Sequence, residues 1–96
     1  MHTPLYPSHD LATADLYERR SPEALAFLIE QGRELEFSFR GKAYFLSLFH
    51  AEKYVSLWCG DNQQSFDSMA ELFARATLDG VPFSAAWQEA QLDYLF

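Results

Sequence analysis

The residue types that could support catalysis occur in this sequence, but their spacing keeps them apart. Ser8, His9 and Asp10 have the residue types of a hydrolytic triad, yet a triad requires groups that converge in space rather than three neighbours in a loose segment. Cys59 and His50 have the types of a nucleophile and a base. His50 falls in a turn and Cys59 at the far end of the following strand, roughly 15–20 Å away at about 3.3 Å per residue. We therefore expect a buried cysteine, a solvated histidine and no catalytic residues.

Metal and phosphate sites are not indicated either. The chain has one cysteine and three histidines, and none has the C-x₂-C or H-x₃-H spacing of a metal site. The four glycines are isolated at the ends of predicted elements, so no glycine-rich loop is available to hold a phosphate. Glu34 and Glu36 are paired carboxylates, which we expect at a solvent-facing strand edge. The sequence predicts a protein that is not an enzyme and uses neither a metal nor a cofactor.

Length and composition indicate one folded domain that does not enter a membrane. Ninety-six residues suffice for one domain, and an apolar fraction of 49% with 17% aromatic residues is ample for a core. No apolar run approaches the roughly 20 residues that span a bilayer. The opening MHTPLYPSHD has neither the basic start nor the apolar centre of a secretion signal, and a single cysteine excludes an intrachain disulfide. A cytoplasmic, reducing setting is expected.

The negative charge of the chain is unevenly distributed. The formal net charge is −7, and residues 54–96 carry six acids against Arg75 alone. Acidic side chains repel phosphates, which disfavours direct binding of nucleic acid, whereas a protein with a basic surface would be attracted. Asp61, Glu89 and Asp93 have no predicted role in a helix start or a turn. If the acids form one surface, it would imitate a phosphate backbone and occupy a basic groove; the alternative is that acidity only maintains solubility.

Two helical segments are predicted before the sheet. Ser21 as N-cap and Pro22 at the first helical position begin a helix that Gly32 ends, from about 22 to 31. Residues 10–20 are predicted to form a helical turn or two. The apolar side of this segment is expected to comprise Leu11, Ala14, Leu16 and Tyr17.

Three antiparallel strands are predicted to follow. Residues 35–39 alternate between apolar and polar, and Arg40-Gly41 is a plausible two-residue turn that pairs Phe37 with Tyr44. After a turn at HAEK, residues 54–59 return as the third strand. The inner face of this sheet comprises Leu35, Phe37, Phe39, Tyr44, Leu46, Leu48, Val55, Leu57 and Cys59. The second face gathers Phe45, Phe49, Tyr54 and Trp58 among Glu36, Ser38, Ala43, Ser47 and Ser56.

The remaining residues predict a loop and two helices. GDNQQ, after the third strand, is predicted as a loop. Ser68 and Glu71 have the spacing of a capping box, so a helix is expected from about 68 to 77. Asp79-Gly80 marks a turn, and Pro82 lies near the start of a last helix. One face of that helix is apolar and comprises Phe83, Ala86, Trp87 and Ala90. The closing LDYLF either finishes this helix or pairs as a strand.

From Gln31 onward the chain resembles a group of uncharacterised small acidic bacterial proteins common in Firmicutes. The matching stretches are GRELEFSFRGKAYFLS, FDSMAELFARATLDG and the tryptophan at Trp87. Together they give a helix before a Gly-Lys hairpin, an F-D-S helix start, a D-G turn and a tryptophan helix. Some such proteins travel on mobile elements, where inhibitors of host or phage-defence enzymes are also found. The resemblance implies no established activity.

These observations combine into one expected fold. It is α+β, with an N-terminal helix, a three-stranded antiparallel β-meander and two C-terminal helices on the inner face. Residues 1–20 form a loose or packing segment ahead of a single domain at 21–96. The expected function is non-catalytic binding of another protein. The expected partner-binding residues are Phe45, Phe49, Tyr54, Trp58, Asp61, Glu89 and Asp93.

The second face is too aromatic to stay exposed in a monomer without purpose. Three covers are open: residues 1–20, a second copy in a homodimer, or a foreign protein. The first would act through Leu5, Tyr6, Leu11, Leu16 and Tyr17. A homo-oligomeric structural protein is the alternative function, and a small enzyme with a pocket around Cys59 is the less favoured one.

Overall fold

The computed structural model describes residues 7–49 and 51–96, and within them the fold is α+β, as predicted. In chain order the elements are α1 (His9–Arg19), α2 (Pro22–Glu30), β1 (Leu35–Phe39), β2 (Lys42–Phe49), β3 (Tyr54–Cys59), β4 (Asn62–Phe66), α3 (Met69–Arg75), β5 (Thr77–Leu78), β6 (Val81–Pro82), α4 (Phe83–Ala86), a 3₁₀ turn (Trp87–Glu89) and β7 (Gln91–Leu95). None of the helices in these two ranges is long and apolar enough to cross a membrane.

Five strands form one antiparallel sheet in the order β4-β3-β2-β1-β7, and β5 pairs with β6 in a separate ribbon. The predicted register between β1 and β2 is confirmed, since Phe37 lies opposite Tyr44. Arg40 and Gly41 both have positive φ angles, 51° and 80°, as a type I′ hairpin turn requires. The prediction of only three strands is wrong, because one further strand is added at each edge.

The strand β4 replaces the predicted loop after β3. Its sequence, NQQSF, has no alternation of apolar and polar residues, so it carries no strand signal. The strand forms because Gly60, with a φ of 59°, turns the chain within two residues and brings it back along β3. An edge strand can form with polar residues on both faces, because its backbone pairing does not require a buried side.

The last strand, β7, shows that LDYLF pairs rather than finishing a helix. It runs antiparallel to β1, and the register shifts between Glu36 and Phe37 through a bulge at Asp93. Beyond the strand, Glu34 and Phe96 exchange two backbone hydrogen bonds of 3.3 and 2.8 Å. The prediction that Glu34 and Glu36 lie at a sheet edge is therefore wrong, because β7 covers the edge of β1.

The helix α2 is close to its predicted range, whereas α1 differs from prediction. Helix α1 has three turns, and the side it buries comprises Ala12 and Leu16. Leu11, Ala14 and Tyr17 are exposed. Of the four residues predicted on the apolar side, only Leu16 is therefore buried. Helix α1 packs against α2, and its buried side pairs Leu16 with the small Ala12 four residues earlier.

The C-terminal helices are shorter than predicted. Helix α3 ends at Arg75 because β5 begins two residues later. At its start, the Oγ of Ser68 accepts the N–H of Glu71 at 3.1 Å, and the Glu71 carboxylate accepts the N–H of Asp67 at 3.2 Å. The last helix is one α-turn continued by a 3₁₀ turn. Its predicted apolar face is buried, at Phe83, Ala86, Trp87 and Ala90.

The helices pack on the inner face of the sheet. Their buried side chains form one cluster with those of Phe37, Leu46 and Leu57, which were predicted to be inside. Ser56, on the second face, is only 4% exposed. It lies on a strand flanked on both sides, and the Nε2 of Gln63 donates to its Oγ at 3.0 Å.

Arg20 connects the two N-terminal helices to the end of the chain. Its φ of 54° is left-handed and turns the chain between α1 and α2. Its guanidinium donates to the carbonyls of Trp87 and Ala90, and the Trp87 indole N–H donates back to the Arg20 carbonyl at 2.9 Å. These hydrogen bonds join the α1–α2 connection to the 3₁₀ turn within the helical layer that covers the inner face.

Candidate protein-binding face

The second face of the sheet carries six aromatic side chains: Phe45, Phe49, Tyr54, Trp58, Tyr94 and Phe96. Four of them are exposed by more than a third, at 47% for Phe49, 37% for Trp58, 64% for Tyr94 and 57% for Phe96. At roughly 150–250 Å² for a large aromatic side chain, the exposed part is on the order of 400 Å². Patches of this size on a monomer are often functional.

Strand pairing arranges the second face in transverse rows, three of which carry aromatic side chains. The aromatic row crosses five strands through Tyr94, Glu36, Phe45, Trp58 and Gln63. The serine row lies two residues further along and contains Phe96, Glu34, Ser47, Ser56 and Ser65. The hairpin row contains Phe49 and Tyr54, which lie opposite each other beside the β2–β3 turn.

Aromatic contacts join rings within the hairpin row and between the serine and aromatic rows. Phe49 and Tyr54 stack with ring centroids 5.1 Å apart. Phe96 leans from the end of the serine row toward the aromatic row, with its centroid 6.5 Å from that of Phe45 and 6.2 Å from that of Tyr94. These contacts hold the rings in defined positions without burying them.

The described part of the N-terminal segment does not cover the second face. Leu16 is buried in the cluster on the inner side, and Leu11 and Tyr17 are exposed at 54% and 46%. The other two residues of that hypothesis, Leu5 and Tyr6, lie outside the described residues. A second copy and a foreign protein therefore stay as candidate covers.

The charged groups of the three rows are acidic. Glu34 and Glu36 project from neighbouring rows on the β1 side, and no lysine or arginine belongs to any of the three rows. On the β4 side, Asp67 follows the strand directly and lies next to Tyr54 at a hollow of about 350 Å³. Both sides of the face therefore carry carboxylates, and each also has an arginine, because Arg75 lines the same hollow and the Nε of Arg33 donates to the Phe96 carbonyl at 2.6 Å.

The three acids predicted to bind a partner do not converge. Asp61 lies in the turn between β3 and β4, and Asp93 lies in β7 at the opposite edge, about 19 Å away at four strand spacings. Glu89 is paired with Arg40 at 3.6 Å. Two other acids of this half also pair with bases, Glu71 with Arg75 and Asp79 with Lys42. The acidic half thus provides no single surface comparable to the second face.

Ser8, His9 and Asp10, which have the residue types of a catalytic triad, lie at the start of α1. The Oγ of Ser8 accepts the N–H of Leu11 at 3.2 Å, which caps the helix. His9 is exposed, and its Nδ1 lies 3.3 Å from the Arg33 guanidinium. Asp10 lies in the first turn, where a carboxylate suits the helix dipole. No group of three metal-binding side chains occurs among the described residues.

Cys59 was expected to be buried and is half-buried, and His50, which was expected to be solvated, lies outside the described residues. Cys59 instead neighbours Tyr44, whose pKa is raised by burial and by the adjacent thiol. Beside them, the Nζ of Lys42 lies 2.7 Å from Oδ1 of Asp79. This ion pair joins two hairpin turns.

A second apolar feature lies on the helical side. It is a cleft of about 310 Å³ between α2, α3 and α4, lined by Pro22, Phe73, Phe83, Ser84, Trp87 and Gln88. The cleft has no charged lining group, and no observation indicates what would fill it. The second face is the better developed site.

The sequence identified four of the six aromatic residues on the second face. Tyr94 and Phe96 were missed because LDYLF was left open between the end of a helix and a strand. Its alternation of apolar and polar residues was the signal that could have identified the strand. No protein-family model matches this chain, and neither a curated protein nor a solved structure is similar to it at a significant level.

Proposed function

We propose that this chain is a non-catalytic protein-binding domain and that the second face is its binding surface. The observation that carries the proposal is the group of aromatic rings on a sheet face that none of the described helices covers. Tyr, Trp and Phe are enriched in protein interfaces because each offers a large contact area and loses little conformational entropy. The serine and glutamine side chains between the rings supply hydrogen-bonding groups.

A protein partner fits this face better than nucleic acid does. Exposed rings on a sheet can stack on bases, but such sites also need a basic groove along the phosphates. Here the charged groups that belong to the three rows, Glu34 and Glu36, are acidic, and the chain has a net charge of −7. A phosphate backbone would therefore be repelled.

Self-association is the second candidate, and the size of the face favours it. A standard interface buries about 800 Å² on each partner, and the exposed rings supply roughly half of that before the smaller side chains are added. Charge argues against it, because a two-fold contact places the same acidic face on both sides. The resemblance to small proteins of mobile elements favours a foreign partner, such as a host or phage-defence enzyme that the chain inhibits or modulates.

A paired substitution tests the proposal. Tagged protein with Phe49→Ser and Trp58→Ser should lose the partner that the unchanged protein retains from a lysate of its source cells. Tyr17→Ser is the matched control, because Tyr17 is 46% exposed on α1, close to the 47% of Phe49. Retention of the same partner by the double variant would overturn the proposal.

A further inference from the structure

We infer that the outer edge of β4 accepts an extended segment of the partner protein, which adds to the five-stranded sheet as a further strand and places one side chain in the hollow beside Ser65. This inference rests on the proposed function and adds the form of the partner segment. The side chains of Gln63 and Ser65 belong to the second face, so a strand paired beside them continues that face.

Strand β4 turns part of its backbone away from the sheet. The turn from β3 has two residues, so Cys59 and Asn62 are the first hydrogen-bonded pair of the hairpin. Hydrogen-bonded and non-hydrogen-bonded pairs alternate in an antiparallel ladder, and the N–H and C=O groups of Gln63 and Ser65 therefore point outward. Among the described residues, no other element forms a backbone hydrogen bond with these four groups.

The edge of β4 lacks the features that usually prevent strand addition. Charged side chains, prolines and bulges protect the edge strands of natural sheets. The sequence NQQSF contains neither a charge nor a proline, and it pairs with β3 without a shift in register. The opposite edge of the sheet is different, because β7 carries Asp93 in a bulge. Strand addition is therefore favoured at β4.

Contacts on either side define the length of this edge. On the inner side, the Nε2 of Gln64 donates to the Thr77 carbonyl at 2.8 Å, and its Oε1 accepts the Thr77 N–H at 3.0 Å. These bonds join β4 to the ribbon of β5 and β6. After the strand, the N–H of Asp67 donates to the Glu71 carboxylate at 3.2 Å, so outward pairing stops before this residue.

The hollow of about 350 Å³ lies at the end of this edge. It is lined by residues of β3, β4 and α3 and of the connection between the last two: Tyr54, Ser65, Phe66, Asp67, Glu71 and Arg75. Ser65 belongs to the second face and Phe66 to the inner face, so the hollow lies at the edge between them. In complexes formed by strand addition, backbone hydrogen bonds give affinity and pockets for alternate side chains give specificity. The hollow is suited to this second role.

A foreign segment fits the edge better than a second copy does. In the symmetric antiparallel pairing that uses all four outward groups, Gln64 lies opposite its own copy and Asp61 lies opposite the Asp67 of the copy. Like charges directly opposite each other destabilise a strand pair, and symmetry forms this contact twice. Arg75 offsets only part of the charge, because it already pairs with Glu71 at 3.1 Å.

A proline at an outward position tests the inference. Ser65→Pro removes an outward N–H and keeps the pairing with β3, since an edge strand accepts proline where the N–H would face solvent. Ser65→Ala is the matched control, because both variants lose the hydroxyl that accepts the Nε2 of Gln63. The probes are linear peptides of about seven residues, a typical strand length, selected from a random displayed library on the unchanged protein. They should bind the alanine variant unchanged and the proline variant about tenfold more weakly.

Hydrogen exchange followed by NMR adds a test that needs no variant. In the free protein, the amides of Gln63 and Ser65 should exchange faster than those of Gln64 and Phe66, whose N–H groups are bonded to β3. A saturating selected peptide should slow exchange at Gln63 and Ser65 and leave the other two amides as they were.

Three results would overturn the inference: a selection that yields no peptide, equal binding to the proline and alanine variants, or unchanged exchange at Gln63 and Ser65 with saturating peptide. Slowing of these amides on concentration of the protein alone would assign the edge to a second copy instead.

The proposed function can fail separately. If Phe49→Ser with Trp58→Ser abolishes capture of the natural partner while Ser65→Pro retains it, the second face stands and the added strand is wrong. If the double variant keeps its partner, both are wrong.

Discussion

Phe49 and Tyr54 stack with their ring centroids 5.1 Å apart and their planes 25° apart, on the side of the sheet opposite the helices. They are a directly opposed cross-strand pair, so the hairpin itself sets their contact. Neither ring belongs to the core cluster of the described residues. The two rings already contact each other without a partner, and a contact that is formed in advance lowers the entropy lost on binding.

A buried leucine on the inner face and an exposed leucine on α1 predict losses of stability that differ in size. Leu46 is fully buried on the inner face of the central strand, so Leu46→Ala should lower the free energy of unfolding by about 2–5 kcal/mol. Leu11→Ala, at a side chain that is 54% exposed on α1, is the matched control and should change it by less than about 0.5 kcal/mol. Urea unfolding measures both, and equal midpoints for the two variants would contradict the burial of Leu46 on the inner face.

The ion pair between Lys42 and Asp79 predicts a dependence of stability on pH. A hydrogen bond and charge attraction between the two groups lower the pKa of Asp79 below its usual 3.8 and raise the pKa of Lys42 above its usual 10.5. The contribution of Asp79 is present above 3.8 and is lost as the pH falls through its folded-state pKa. That of Lys42 is present below 10.5 and is lost as the pH rises through its folded-state pKa.

Asp79→Asn should therefore be less stable than the unchanged protein at neutral pH, and the difference should close at strongly acidic pH. Both side chains are substantially exposed, 53% for Lys42 and 40% for Asp79, so added salt should also reduce the difference. Urea midpoints of the two proteins across the acid range test this. A difference that persists after Asp79 is protonated would assign the effect to the turn geometry instead.

Arg20 predicts a stability effect without a change in the second face. Arg20→Ala removes the guanidinium donors to the carbonyls of Trp87 and Ala90, which leaves the Trp87 carbonyl with the N–H of Ala90, and it should cost about 1–3 kcal/mol because hydrogen bonds from a charged group to part-buried acceptors are lost. Arg19→Ala is the control, since Arg19 is exposed and forms an ion pair with Asp15 within the same helix. Thermal melts that show the same loss for both would contradict the role of Arg20.

Local signals in the sequence predicted the middle of this fold well. The glycine after Arg40 and the strict alternation around Phe37 determined both the turn and the register of the first hairpin, because each depends only on residues close in the chain. The capping residues Ser21 and Ser68 likewise located the starts of α2 and α3.

The errors occurred where tertiary contacts override local pattern. Strand β4 forms without apolar residues at most of its positions because β3 provides backbone partners. The buried side of α1 depends on where α2 lies, which no local periodicity specifies. The interaction of Arg20 with Trp87 joins residues 67 positions apart, so no spacing could reveal it. For the same reason, the acids Asp61 and Asp93 could not be assigned to opposite edges until β7 had been located.

The dependence of partner binding on salt distinguishes whether affinity comes from the second face or from a purely acidic surface. Aromatic contacts depend little on ionic strength. Attraction between exposed charges is weakened by salt, because the Debye screening length is only about 10 Å at 0.1 M salt. Binding of the natural partner should therefore weaken only several-fold between low and high salt and should be lost with Phe49→Ser and Trp58→Ser at any salt. Complete loss of binding in high salt by the unchanged protein would favour the acids of residues 54–96 instead.

Site-specific photo-crosslinking in the source cells tests the binding face most directly. A photoreactive phenylalanine analogue replaces Trp58 on the second face in one sample and Tyr17 on α1 in the other, two exposed positions on different sides of the chain. If the second face is the binding surface, position 58 should give a discrete covalent adduct with another protein, and position 17 should give none. An adduct from position 17 alone, or no adduct from position 58 while the protein still retains its partner, would contradict it.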